Sequence, residues 1–297
     1  MPRPAGVREP SVAVDRGQQA ASRPDEANLE PREDATALRP ESAGHLQRAI
    51  VNGEFSPHFQ PIVSLESGEL LAAEVLARWQ PSPEDVVPPS SFIGLAEESG
   101  LIRRLGRRML DATAGLMEEW GEGAPPRIHL NFSPAELTGD APLLSELERA
   151  SREHDVHLGR LCVEVSERQA EVSPETVREL RHLGVQVALD DFGSGYSSYA
   201  LLGTLPITDL KLDGSLIRPL ESGSRPRAVV KRIVDLARDL GLRVVAEGVQ
   251  TSRQLDHLRE AGCRVGQGFL FGRPQAPKDF EEMLLGSSRH RPNGSSE

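Results

Sequence analysis

The chain has 297 residues, enough for one large or two ordinary domains with a substantial core. Hydrophobic residues make up 38% and charged residues 27%, and the absence of any run of about 18 apolar residues excludes a membrane-spanning helix. Lys and Arg number 34 against 45 Asp and Glu, a net charge of −11, which is the wrong sign for general attraction to DNA or RNA.

The first 54 residues contain no Phe, Tyr or Trp, and the stretch up to Pro40 mixes prolines with charges of both signs. Such a composition offers too little apolar surface to offset ordering entropy, so residues 1–44 are expected to form a flexible tail. Residues 286–297 have the same polar character and the same expectation. The two cysteines, Cys162 and Cys263, lie in apolar segments, and the N-terminus lacks the apolar stretch of a signal peptide. A cytoplasmic protein with two buried thiols is the reading.

Between the tails, residues 45–285 alternate short β-branched runs with longer helical patterns. Strands are expected at 58–64, 70–79, 127–132, 161–166, 185–190, 209–213, 242–247 and 268–271. Helical spacing marks 92–120, 134–152, 174–183, 228–240 and 252–261, with Ser173-Pro174 and Thr251-Ser252 as helix starts. This alternation predicts an α/β protein with a TIM-like (β/α)8 barrel. The link Glu66-Ser67-Gly68-Glu69 is too short for a crossover helix, so the first strand should run antiparallel to the second.

Acidic residues fall at the strand ends. Glu74, Asn131, Glu164, Asp190, Asp191 and Glu247 each lie within or just after an apolar strand, and in a parallel barrel such ends converge on one rim. One acidic residue after a strand is more often a helix cap or a solvated loop residue. Six oxygen-bearing residues at one rim are costly unless cations neutralise them, and an all-oxygen set suits Mg²⁺ or Mn²⁺. Adjacent carboxylates such as Asp190-Asp191 can serve two ions at once, the arrangement used for in-line attack at phosphorus. Lys211 points to the same rim, where an ammonium beside carboxylates can orient water or a developing anion. No HxH or HExxH spacing occurs, so the histidines read as surface or core residues.

Phe59-Gln60-Pro61-Ile62-Val63 and then Glu74-Val75-Leu76-Ala77-Arg78-Trp79 resemble the opening of an EAL domain, the bacterial cyclic di-GMP phosphodiesterase family. FIGLAEESGLI, Asn131-Phe132-Ser133, Glu164-Val165-Ser166-Glu167, DDFGSGYSS, LKLDGSLI, VVAEGV and QGFLFGRP continue the likeness in order. The resemblance implies that Glu74, Asn131, Glu164 and Asp190 hold one metal ion, and that Asp190, Asp191 and Glu247 surround a second, with Asp190 as the bridge. It implies catalytic roles for Lys211 and Gln267 at the attacking water, for Glu247, and for Glu167 as anchor of the loop over residues 192–198. Gln60, Leu76, Arg78, Asp213 and Pro274 are the implied substrate contacts, Arg78 being suited to a phosphate oxygen by its permanent planar charge.

Four positions depart from the family pattern. Val75 stands at the signature alanine and Ala77 at the following leucine-type position, while Ser166 and Ser194 replace the usual threonines. None of these removes a ligand. The implied activity is hydrolysis of cyclic di-GMP to linear pGpG, with two Mg²⁺ or Mn²⁺ ions activating water. The alternative is a catalytically inactive cyclic di-GMP receptor or scaffold. No GGDEF, receiver or PAS-like segment precedes the barrel, which implies a stand-alone domain, and family likeness implies a homodimer and leaves room for a regulatory protein partner.

Overall fold

The computed structural model describes residues 39–137, 143–166, 172–195 and 199–288. The tail expected over residues 1–44 lies almost wholly outside them. The described part begins with helix α1 (Ala43–Asn52), which has no counterpart in the expected elements. Ser42 caps it by accepting a hydrogen bond from the His45 N–H at 3.2 Å, and Gly53 ends it at φ +80°, a left-handed conformation that glycine adopts without penalty. Its buried residues Leu46, Ala49 and Ile50 share one face. The absence of aromatics hid that stripe in the sequence.

Strands β1 (Phe55–Ser64) and β2 (Leu70–Trp79) form the expected antiparallel hairpin, with Phe55 opposite Trp79 and Gln60 opposite Glu74. Where one helix was expected over 92–120, two occur: α2 (Ile93–Glu98) and α3 (Ile102–Trp120). Gly100 turns the chain between them at φ +71°. After β3 (Ile128–Asn131), the pattern over 134–152 is realised as α4 (Pro134–Leu137) and α5 (Leu143–Glu153). Strand β4 (Leu161–Ser166), helix α6 (Pro174–His182) and strand β5 (Gln186–Phe192) follow close to expectation.

Helix α7 (Tyr199–Thr204) leads to β6 (Asp209–Leu212), and the short α8 (Gly214–Ile217) precedes α9 (Ser224–Asp239). α9 starts before the expected residue 228 because Pro226 falls in its first turn, where a missing N–H costs no intrahelical bond. Strand β7 (Arg243–Ala246), helix α10 (Ser252–Glu260), strand β8 (Val265–Gln267) and helix α11 (Pro277–Ser288) complete the chain order. α11 was also not expected, and it runs past Gly286, where the sequence turns polar.

The eight strands close in sequence order. β2 to β8 pair parallel, and β8 returns to β1 antiparallel, with Ile62 opposite Gln267. Alternation along each strand separates two environments. Phe59 faces outward, packing against Trp120 and Phe280 at centroid distances of 4.9 and 5.2 Å. Gln60 faces inward to Gln267. Ile62, Ala72, Val245 and Val265 form a small apolar cluster inside the barrel, while the larger core fills the space between strands and helices.

The last strand corrects the sequence reading. Residues 268–271, apolar enough to suggest a strand, form a turn closed by the Phe271 N–H on the Gly268 carbonyl at 3.0 Å. Gly268 has φ +155°, and a Cβ there would lie 2.2 Å from the Val249 carbonyl oxygen. Gly268→Ala is therefore expected to destabilise the fold by about 3 kcal/mol, the upper part of the overpacking range, read as a lower urea midpoint with unchanged m-value. An unchanged midpoint would contradict this contact.

Candidate active site

The parallel register brings side chains from six strands to the open end of the barrel. Asn131 lies opposite Glu164, and Ser166 opposite Asp190, on neighbouring strands. Lys211, in the same interior, is completely buried, and its Nζ lies 2.6 Å from Glu164, 2.7 Å from Glu247, 3.2 Å from Asp190 and 3.3 Å from Glu74. Asn131 Nδ2 donates to Glu74 Oε1 at 3.0 Å, and Gln267 Nε2 donates to Glu74 Oε2 at 2.6 Å and to Gln60 Oε1 at 2.8 Å. Gln60 in turn donates to the Gly272 carbonyl at 3.0 Å. These contacts hold the mouth together across the β1–β8 seam.

Asp190 and Asp191 are adjacent, so a regular strand would point them to opposite faces. The pairing of β5 with β6 shifts register between Leu189 and Phe192, and Asp191 adopts φ +58°. This left-handed residue breaks the alternation, at a cost on the order of 1 kcal/mol. As a result, Asp190, Asp191 and Glu247 each offer a carboxylate oxygen within 4.8 Å of one another.

Four carboxylates thus face one ammonium and Asp191 stands beside two of them, so with all five ionised the excess would be four negative charges. Two unit charges about 4 Å apart interact by about 4 kcal/mol at an effective dielectric of about 20, so the repulsion is large on the scale of folding stability. Burial and then the surrounding carboxylates push Glu164 and Glu247 well above the ordinary carboxyl range and raise Asp190, although Lys211 opposes each shift. Glu74 goes the other way: burial disfavours its charge, but Lys211, Gln267 and Asn131 together hold its pKa below the ordinary value. Burial also works against the Lys211 ammonium, and the four carboxylates overcome it and hold its pKa well above normal.

Divalent cations fit this donor set. Glu164 Oε2 and Gln267 Oε1 are buried and have no hydrogen-bond partner among the described residues, and all the donors are oxygens suited to a hard ion. Two divalent ions would cancel the excess charge. The residues able to hold them are Glu74, Asn131, Glu164, Asp190, Asp191 and Glu247.

The other expected residues lie around this cluster. Leu76 lines two cavities at the mouth, one of about 350 Å³ with Ile93, Met109 and Glu136, the other of about 290 Å³ with Gln60 and Phe269. Arg78 donates to the Ala77 carbonyl at 2.9 Å; burial lowers its pKa, and the field of Glu74 opposes that shift. Asp213 Oδ1 caps α8 by accepting from the Ser215 N–H at 2.9 Å, a structural task the sequence did not suggest. Pro274 follows Arg273, whose guanidinium lies 4.1 Å from the Phe269 ring centroid. Glu167 and part of the loop it was expected to anchor lie outside the described residues.

Three buried residues near the mouth escaped the sequence reading. His58 lies at the open end of β1, and burial, then Arg78, lowers its pKa to about 4. His129 Nδ1 lies 2.8 Å from Glu164 Oε1. Its position two residues before Asn131 on one strand face was the available signal. Glu136 accepts the Ser133 N–H at 2.9 Å and occupies a notch at Gly106, where a Cβ would lie 1.9 Å from its Oε1.

The fold and mouth define a closed (β/α)8-type barrel with an acidic, lysine-centred site. The family model for the EAL domain matches residues 43–274, and the chain belongs to that family. It is 36% identical over 248 residues to the bifunctional diguanylate cyclase/cyclic di-GMP phosphodiesterase MucR of Pseudomonas aeruginosa, covering 82% of this chain and 36% of that protein. It is 33% identical over 251 residues to the cyclic di-GMP phosphodiesterase RocR of the same organism, covering 83% of this chain and 64% of the relative. The chain therefore spans less than two thirds of either protein. A solved PaMucR phosphodiesterase in complex with c-di-GMP superposes with a TM-score of 0.73 at 34% identity, over 80% of this chain and 98% of that one.

Glu136 yields a pH-dependent expectation. Burial raises its carboxyl from 4.5 to about 7, against the opposing hydrogen bonds from Ser133. The folded state therefore retains a proton that the unfolded chain releases earlier, and stability falls as pH rises through this interval. The loss by about pH 8 is on the order of 3 kcal/mol. Glu136→Gln should thus gain stability relative to wild type at about pH 8 compared with about pH 5, measured by urea unfolding at both. An effect of equal size at the two pH values would refute the raised pKa.

Proposed function

We propose that this chain hydrolyses cyclic di-GMP to linear pGpG. The observation that carries the reading is the convergence of four carboxylates on one buried ammonium at the open end of an EAL barrel, with Asp191 beside two of them and buried oxygens left over for cations. In this reading Glu74, Asn131, Glu164 and Asp190 hold one Mg²⁺ or Mn²⁺, and Asp190, Asp191 and Glu247 hold the second. The ions, when bound, supply Lewis-acid activation of water and neutralise the phosphate.

The chain's own groups supply position and charge. Lys211 Nζ, fixed among four carboxylates, presents N–H donors to the attacking oxygen and stays protonated there. Gln267 uses its Nε2 on Glu74 and Gln60, so its Oε1 remains an acceptor for a hydrogen of that water. Arg78 offers a planar cation to a phosphate oxygen, while Leu76, Gln60, Asp213 and Pro274 line the approach. For Glu167, outside the described residues, the family likeness supports the role of loop anchor. An anionic substrate enters an acidic protein because the bound cations and Arg78 reverse the local field.

The complete donor set favours catalysis over a receptor that only binds the nucleotide. The family likeness also favours a cytoplasmic homodimer, open to a regulatory protein partner. The test is incubation of the purified chain with cyclic di-GMP and Mg²⁺ or Mn²⁺, with pGpG followed by chromatography. Glu74→Ala should lower turnover by more than about a hundredfold through loss of metal. Binding of the nucleotide by wild type without pGpG would replace the enzyme by the receptor, and full turnover by Glu74→Ala would remove Glu74 from the ligand set.

A further inference from the structure

His129 and Asn131 share the inner face of β3, with His129 one layer deeper in the barrel. The imidazole is completely buried, and its Nδ1 lies 2.8 Å from Oε1 of the equally buried Glu164. Lys211 Nζ approaches the same oxygen at 2.6 Å. For Glu164 to serve as an ionised ligand its Oε1 must accept, which places the ring's hydrogen on Nδ1 and gives Oε1 two donors from two different strands. Oε2 of Glu164 is buried and has no hydrogen-bond partner among the described residues. The ring Nε2 is also buried and without one, so among the described residues the contact to Glu164 is the imidazole's single polar bond.

A carboxylate is free to turn about its last side-chain bond and can offer either oxygen to a cation. We propose that His129 is a positioning residue of the metal site, whose Nδ1–H pins Oε1 of Glu164 so that Oε2 is the oxygen presented to a divalent ion. The inference rests on Glu164 being a ligand, as proposed above. Lys211 alone does not fix the carboxylate plane, since its ammonium is a point charge shared among four acids. The imidazole is directional, and it is held on the most deeply buried of the carboxylates. Partners of this kind orient metal ligands, and their loss typically weakens metal binding by about 10- to 100-fold.

The test is Mn²⁺ binding by calorimetry to the full chain without nucleotide, so that the isotherm decides this inference independently of whether cyclic di-GMP is cleaved. His129→Asn places an amide nitrogen near the site of Nδ1, and His129→Gln places one near Nε2. The asparagine variant should bind Mn²⁺ within about threefold of wild type, and the glutamine variant about 10- to 100-fold more weakly. Equal affinities for the two variants, or wild-type affinity in His129→Gln, would overturn the proposal. A wild-type measurement guards against variants that fail to fold. The long-range proton–nitrogen NMR spectrum should show a histidine protonated at Nδ1 whose signals move on adding Mg²⁺. An Nε2–H tautomer for His129, or signals that ignore the ion, would equally overturn it.

Discussion

The buried ammonium of Lys211 is the contact on which the site depends. A lysine with no solvent exposure is sustained only by charged partners, and Lys211 has four within 3.3 Å. Those partners come from β2, β4, β5 and β7, so a single interaction ties together most of the barrel circumference. Yet one positive charge cannot balance five negative ones. The mouth therefore has a donor set that cations would complete, and under the proposed function the residues that would gather them are largely the ones that hold the lysine in place.

Two irregular stretches of backbone flank this cluster. The left-handed Asp191 is the device that lets two successive residues face the same site, which no regular strand permits. Gly268 performs a related task on β8. It lets the chain pass the Val249 backbone closely enough that Gln267 stays inside, bonded to Glu74 and Gln60, while Phe269 turns out to the rim. Strain of this kind is tolerated where the surrounding hydrogen bonds over-determine the geometry.

Much of this was legible in the sequence because strand periodicity and strand-end acids are local signals. The eight-strand order, the antiparallel hairpin and the convergence of Glu74, Asn131, Glu164, Asp190, Asp191 and Glu247 all follow from short patterns. What escaped depended on three-dimensional context. The run Phe269-Leu270-Phe271 has strand composition, but the Gly268 turn that excludes it is set by contact with Val249, nineteen residues away in sequence. Helices α1 and α11 were hidden in segments whose polar composition outweighed a modest apolar stripe. His129 carried no metal-binding spacing, and its part in the site comes from pairing with a residue on the next strand. Asp213 carries a structural task that no short pattern announced: its Oδ1 accepts the Ser215 N–H and caps α8.

The two ends of the barrel handle buried charge differently, and the contrast separates folding from function. Near the start of β6, Asp209 is 1% exposed and is bound by Arg243 and, at 3.5 Å, by Arg127, so its charge is met entirely by protein partners. That end needs nothing added. Ile62, Ala72, Val245 and Val265 add a small apolar cluster inside the barrel. At the open end the acids outnumber the lysine, and Asn131 and Gln267 supply hydrogen bonds but no charge. A barrel whose closed end and outer core are already satisfied can fold around an electrostatically incomplete mouth. Under the proposed function, that deficit is what would be available as binding energy for cations.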